Sequence, residues 1–334
     1  FRRVLFRSGG LTLTGGATYT GLTTLSATTT PSSITYTHNV PPTTSGFAGK
    51  GPVVIQPVAN GSFTSAFTPS YTFASTLTGL TLGSSTNTAD ITLNSAIGIS
   101  GSISVTGGAI NVNQNLDTTL GGATAGVLLK GRGNITLAAS KSITTSGAAA
   151  TLWSDSDAAN GGYISLLSGA SIQTSGGNLV LAGGADDGSN GGTANDGTPD
   201  GYARGVGAAG IATTGSFTLN AGAGEVALTA TGGNILLDAD TGTTLAQSTH
   251  GIELASGVNI KTLTSGDITL LGRSGSGTGT GACVSVSCRG IYASAPVVID
   301  SVGNLSLTGT SYTSGASGRG MDLFGATLNA GGSI

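Results

Sequence analysis

Two glycine-rich stretches of this chain hold acidic side chains close enough along it to act jointly. "WSDSDAANGG" (153–162) carries Asp155 and Asp157, and "GGADDGSNGGTANDGTPDG" (183–201) carries Asp186, Asp187, Asp196 and Asp200. Hard carboxylate oxygens on a pliable backbone suit Ca²⁺, so these six aspartates are the candidate metal ligands and calcium is the one cofactor to consider. Neither stretch has the ligand spacing of an EF-hand or of the Gly-Gly-x-Gly-x-Asp nonapeptide, and a solvated polar loop is the competing reading.

Acid–base chemistry is harder to assemble. A polysaccharide hydrolase needs carboxylates, often with Arg, His or Lys, converging on one face. The histidines, His38 and His250, lie far apart in the chain, and the glutamates are Glu225 and Glu253 alone. No acid/base pair stands at a position that breaks the repeat described below, so a non-catalytic chain is expected. His250 takes a place that is Arg in sister repeats and reads as a solvated corner residue. "GSGTGTG" (275–281) and "GKG" (49–51) lack the Lys-Ser/Thr and strand-to-helix context of a phosphate loop. Arg204, Arg289 and Arg319 sit at matching places in the repeat. They could form a basic stripe for an anionic glycan, or cover apolar edges with their stems. Trp153 could stack on a sugar or anchor a loop. Threonine-rich "LTLT" (11–14) and "TYT" (18–20, 35–37) are too irregularly spaced for an ice-binding face.

Cys283 and Cys288, in "ACVSVSCRG", are the only cysteines. Five residues apart they would face opposite sides of one straight strand, so pairing needs a turn between them. An oxidising, extracellular setting favours that local disulfide, and the pair lacks the second Cys or His pair of a zinc site.

The elements that must carry these groups are read from composition and repeats. Among 334 residues there are 59 Gly, only 8% charged residues and 38% hydrophobic ones. Asp far outnumbers Glu and Lys is scarce, so turn and strand formers dominate over helix formers. The first eight residues, "FRRVLFRS", hold three of the twelve basic residues and resemble a translated sequencing adapter; residues 1–8 read as an assembly scar. The formal charge of −3, more negative without them, argues against nucleic acid and anionic membranes. No signal peptide or transmembrane run is seen.

Asn/Asp-aliphatic-x-Leu recurs as "NITL" (134–137), "NLVL" (178–181), "NILL" (234–237), "DITL" (267–270) and "NLSL" (304–307), each preceded by Gly, with "ADITL" (89–93) as a weaker copy. A tight turn entering a short alternating strand has this form. Arg/His-Gly-aliphatic follows the last four, at 204–206, 250–252, 289–291 and 319–321, after spacers of varied length. Variable length at one corner and constancy elsewhere mark a solenoid. The expected fold is all-β, an elongated right-handed parallel β-helix (β-solenoid) over 83–334, truncated at its C-terminus, with 182–203, 238–249, 271–288 and 308–318 as loops on one side. Residues 9–82, richer in Pro, Thr and aromatics, read as a distinct β segment or cap.

The repeat, with "TLWSDSDAANGGYISL" (151–166) and "LTGLTLGSSTNTADITLNSAIGISGSISVTGG" (77–108), resembles the large filamentous-haemagglutinin-like surface proteins of Gram-negative bacteria. The resemblance covers roughly 75–334. It implies a β-helical stalk exported by two-partner or related type V secretion through an outer-membrane transporter. It further implies extracellular or cell-surface placement and a role in adhesion, aggregation or biofilm formation on host-cell, glycan or abiotic surfaces. A β-helical, pectinase-like enzyme and a purely structural spacer are the alternatives.

Overall fold

The computed structural model describes residues 4–6, 11–14, 24–27, 33–40, 42, 45–159, 161–205, 211–214, 218–220, 233–240, 250–274, 288–293, 296–311 and 318–334. Over 4–6, 11–14, 24–27, 211–214 and 218–220 it describes the backbone path alone. The protein is all-β with parallel sheets: strands make up 49% of it, and the described helix is two short 3₁₀ turns, Thr119–Thr124 and Ser189–Gly191.

From Gly79–Gly83 onward the chain visits three sheets in rotation, with one extra return to the long sheet at Ala203–Arg204. One round consists of Ser102–Gly107 in a long sheet, Ile110–Val112 in a second and Leu116–Asp117 in a third, before Val127–Gly131 returns to the long sheet. The second and third sheets have eight strands each, and the long sheet has twelve. Alternation explains how such short strands hold: in Ile110–Val112 and Ile135–Leu137 the outer two side chains are buried and the middle one half-exposed. Parallel register then stacks like on like. Leu80, Ile103, Val127, Ala150, Leu179, Ile235, Ile268 and Leu305 form one inward row. Ile91, Ile110, Ile135 and Ile164 begin a second, and Ile97, Leu116, Ile143 and Ile172 a third. These rows fill one continuous core. No round can bury its apolar side alone, so each depends on its neighbours.

The asparagines in front of the strands do structural work at a corner. Asn178 Oδ1 accepts the backbone N–H of Asn234 (3.1 Å), Asn234 Oδ1 that of Asp267 (2.8 Å), Asp267 Oδ1 that of Asn304 (2.6 Å), and Asn304 Oδ1 that of Ser333 (3.0 Å). The glycine before each is demanded by close approach: a Cβ on Gly233 would lie 2.1 Å from Gly177 O, and one on Gly266, where φ is +107°, 2.2 Å from Gly233 O. The motif copies do not share one row, however. Asn134 and Asp90 precede strands of the second sheet, where they accept the N–H groups of Tyr163 (3.1 Å) and Ala109 (2.7 Å). The same local solution, a side-chain carbonyl catching the next round's N–H, serves two corners, which is why a linear alignment merges them.

A hydroxyl row at the corner leaving the third sheet was not anticipated from sequence. Thr118, Thr145, Thr174, Thr262 and Ser301 are buried. Each donates to a carbonyl just ahead of the following long-sheet strand: Ala125 O, Ala148 O, Gly177 O, Gly266 O and Asn304 O respectively. The recurring Thr-Ser-Gly at 145–147 and 174–176 was its available signal.

Before residue 79 the chain alternates between two sheets. Leu11–Thr14, Ile34–Thr37 and Pro52–Gln56 belong to the long sheet, while Val4–Phe6, Thr24–Ala27, Gly46–Gly49 and Thr72–Phe73 form a four-stranded sheet of their own. The long sheet passes residue 83 without a break, since Pro52–Gln56 pairs with Gly79–Gly83 and that with Ser102–Gly107. Aromatic side chains pack the interior here, with Phe47 stacked on Phe73 (ring centroids 5.7 Å apart) and Phe63 against Phe67 (4.9 Å).

Candidate functional site

The chain's polar chemistry gathers where long-sheet strands give way to the second sheet. The described loops 155–163 and 184–202 both leave from this corner. Of the other expected loops, 238–249, 271–288 and 308–318 are shorter in the structure: 238–240, 271–274 and 308–311 continue long-sheet strands, and Cys288 and Gly318 open second-sheet strands, while 241–249, 275–287 and 312–317 lie outside the described residues. Trp153, near the end of Ala150–Ser154, ties the corner together. It is fully buried, its Nε1 donates to Gly184 O at 2.6 Å, and Lys130 Nζ sits 3.4 Å from the ring centroid. It is a loop anchor and has no face free for a sugar. An antiparallel bridge between Gly183 and Gly201 closes the neck of the second loop. The chain then rejoins the long sheet at Ala203–Arg204.

The six aspartates separate into different roles. Asp155 is 2% exposed and adopts positive φ (49°), and its Oδ1 accepts the N–H of Gly161 at 3.0 Å. Burial pushes its pKa up to about 6, against the pull of Arg204. Asp157 lies at the surface, 3.4 Å from Arg132 Nε. Asp186, Asp196 and Asp200 each place one carboxylate oxygen within 4.8 Å of the other two. Asp187 lies outside that cluster and accepts the N–H of Ser189 at 2.9 Å; hydrogen bonding by the Ser189 side chain first, and by its backbone second, holds the carboxyl below the usual range.

Beside the first loop lies an open groove of about 590 Å³, lined by Asp90, Arg132, Asn134, Asp157, Tyr163 and Arg204 among others. Arg204 lies over the ring of Tyr202 and donates to its hydroxyl at 3.0 Å, while its buried Nε has no hydrogen-bond partner among the described residues. Arg273 packs on the same ring (5.0 Å) and pairs with Asp238. Burial raises the pKa of Asp238, with Arg273 opposing. Such a mixed lining can hold a hydrated polar ligand. Of the groove's walls, sequence reasoning singled out Asp157 and Arg204 as candidate functional residues and read Asp90 and Asn134 only as turn residues of the strand motif; Arg132 and Tyr163 come from successive rounds and carry no linear signature.

The arginine repeat needs two corrections. Arg289 and Arg319 are in register with His250 in the second sheet, but Arg204 belongs to the long sheet, opposite Asp240. There is no single stripe of equivalent arginines. Arg289 donates to Asp322 Oδ2 at 2.6 Å, and Arg319 reaches the same oxygen at 3.2 Å. His250 is not solvated: it is 5% exposed, packed 4.3 Å from Tyr292, and its Nδ1 has no partner among the described residues. Burial, reinforced by the charge of Arg289 and partly offset by Asp322, lowers its pKa to about 4, so it is neutral at physiological pH. Burial also raises the pKa of Glu253. His38 sits elsewhere, its Nδ1 accepting the N–H of Val40, and Glu225 lies outside the described residues. Cys288 opens Cys288–Ala293, buried and disulfide-bonded; Cys283 lies outside the described residues.

No protein-family model, no curated protein and no solved structure matches the chain.

Proposed function

We propose that the chain is a length of right-handed parallel β-helix from an exported, filamentous-haemagglutinin-like surface protein of a Gram-negative bacterium, serving as a non-catalytic adhesin or stalk. The observation that carries this reading is the repeated rotation of strands through three parallel sheets, eight strands deep. At the usual strand spacing, eight stacked strands reach about 35 Å, so repetition converts directly into length. A low-charge surface rich in Gly, Ser and Thr suits a chain that crosses an outer-membrane transporter unfolded and folds outside. The variable corner, bearing loops 155–163 and 184–202, is the face offered to a host-cell, glycan or abiotic surface, since loops on a rigid scaffold carry recognition. The net negative charge argues against nucleic acid as a partner.

Beads coated with the full chain should retain cells or arrayed glycans through this corner, and charge reversal of Arg132 on the groove should weaken retention. Beads that bind nothing would favour the spacer alternative. The groove of about 590 Å³ with Arg132, Asp157 and Arg204 lends some support to the polysaccharide-cleaving alternative. Against it, Asp155, whose carboxyl is raised to about 6 by burial, does not line the groove and is 2% exposed, and a general acid must reach its substrate. Release of reducing ends from any polysaccharide by the purified chain would overturn the non-catalytic reading.

A further inference from the structure

We infer that the loop closed by Gly183 and Gly201 binds one Ca²⁺ through Asp186, Asp196 and Asp200, independently of whether the chain is an adhesin. Oxygens around Ca²⁺ at 2.3–2.6 Å lie no more than about 5 Å apart, and one oxygen from each of these aspartates meets that limit. Proximity of acids is not itself a site; the second observation is Asp200. It is 6% exposed, its Oδ2 accepts the N–H of Gly188 at 2.6 Å, and its Oδ1 is buried with no donor among the described residues. A buried carboxylate oxygen left bare is costly, and a cation shared with the adjacent carboxylates removes that cost.

The other two ligands keep capacity for a metal. The two oxygens of Asp186 take one backbone N–H each, from Asp196 (3.1 Å) and Gly197 (2.9 Å), leaving lone pairs free. Asp196 Oδ1 takes the N–H and hydroxyl of Thr198. None of the three forms an ion pair among the described residues. Gly192 is required where it stands, because a Cβ there would lie 1.8 Å from Asp200 Oδ1. A glycine-rich loop supplying three carboxylates, with backbone carbonyls and water completing the shell, suits Ca²⁺ better than Mg²⁺, which demands a near-ideal octahedron and sheds water reluctantly.

The test is calorimetric titration of the full chain with CaCl₂, joined to Tb³⁺ luminescence excited through Trp153, the lone tryptophan, whose Nε1 bonds the neck of this loop. The expected result is one site per chain with a Kd on the order of 10⁻⁴–10⁻³ M, the range of extracellular modules, and a Tb³⁺ signal reversed by Ca²⁺ but not by equal Mg²⁺. Asp200→Asn and the half-exposed Asp186→Asn should each weaken binding at least tenfold, with unchanged far-ultraviolet circular dichroism showing that they fold. Asp155→Asn and Asp187→Asn should leave it within twofold. Absence of saturable Ca²⁺ heat on the folded wild-type chain overturns the assignment. So does full binding by folded Asp186→Asn, or loss of binding in Asp155→Asn.

Discussion

Replacing Thr174 by Val tests whether the buried hydroxyl row helps hold successive rounds together. Thr174 is fully buried, and its Oγ1 donates to Gly177 O at 2.5 Å across the corner between Ser171–Gln173 and Leu179–Gly183. Its own carbonyl lies 3.2 Å from the hydroxyl of Thr145 one round earlier, so the site belongs to a connected polar row. Valine has nearly the same shape, so the change opens no cavity and its cost is electrostatic. A hydrogen bond of this kind is worth about 0.5–1.5 kcal/mol net, and because its loss leaves a buried carbonyl without that donor the cost rises to about 1–3 kcal/mol. The expected loss is about 1–3 kcal/mol in all. Urea unfolding followed by circular dichroism should show a lower midpoint with an unchanged slope. Thr174→Ser keeps the hydroxyl and gives up one buried methyl, for about 1 kcal/mol, so it should fall between Val and wild type. A Thr174→Val protein as stable as wild type would refute the idea that these hydroxyls stabilise the corner.

Ile164 stacks on Ile135 in the second-sheet row with no exposed surface; Ile164→Ala should cost about 2–5 kcal/mol, while Ser165→Ala, on the outward face, should change the urea midpoint little. Asp155 and His250 give pH effects of opposite sign. The folded pKa of Asp155 is raised to about 6, so between its unfolded value near 4 and pH 6 the native state holds the extra proton and stability falls as pH rises, by at most about 3 kcal/mol. The folded pKa of His250 is lowered to about 4, so its contribution is present above about pH 6.5 and is lost on acidification towards pH 4. Asp155→Asn should therefore raise stability at pH 7.5 and leave a steeper acid loss, read from urea midpoints across pH 4–8; an unchanged pH profile would refute the assignment. Alkylation without reductant followed by peptide mapping should find Cys283 and Cys288 linked, and reduction should shift the melting temperature little because the closed loop is short.

The sequence by itself determined that the chain is built of short strands entered from Gly-Asn turns. Alternation, β-branched inward residues and glycine at tight approaches are local requirements, and every round must meet them to stack. It also flagged the two acidic loops. What it could not reveal is which copies of a motif share a row. Spacers of unequal length separate the rounds, and register is chosen by stacking of inward side chains between rounds, not by position in the chain. Thus Asn134 and Asn178 look alike yet serve different sheets, and Arg204 parts company with Arg289 and Arg319. Burial is likewise collective: His250 and Asp155 read as solvated corner and loop residues, and only neighbouring rounds withdraw them from water. Six aspartates could be named in advance as candidate ligands, but the bridge between Gly183 and Gly201, which turns the excursion over 184–200 into a closed loop, decided that Asp186, Asp196 and Asp200 converge while Asp155 and Asp157 do not.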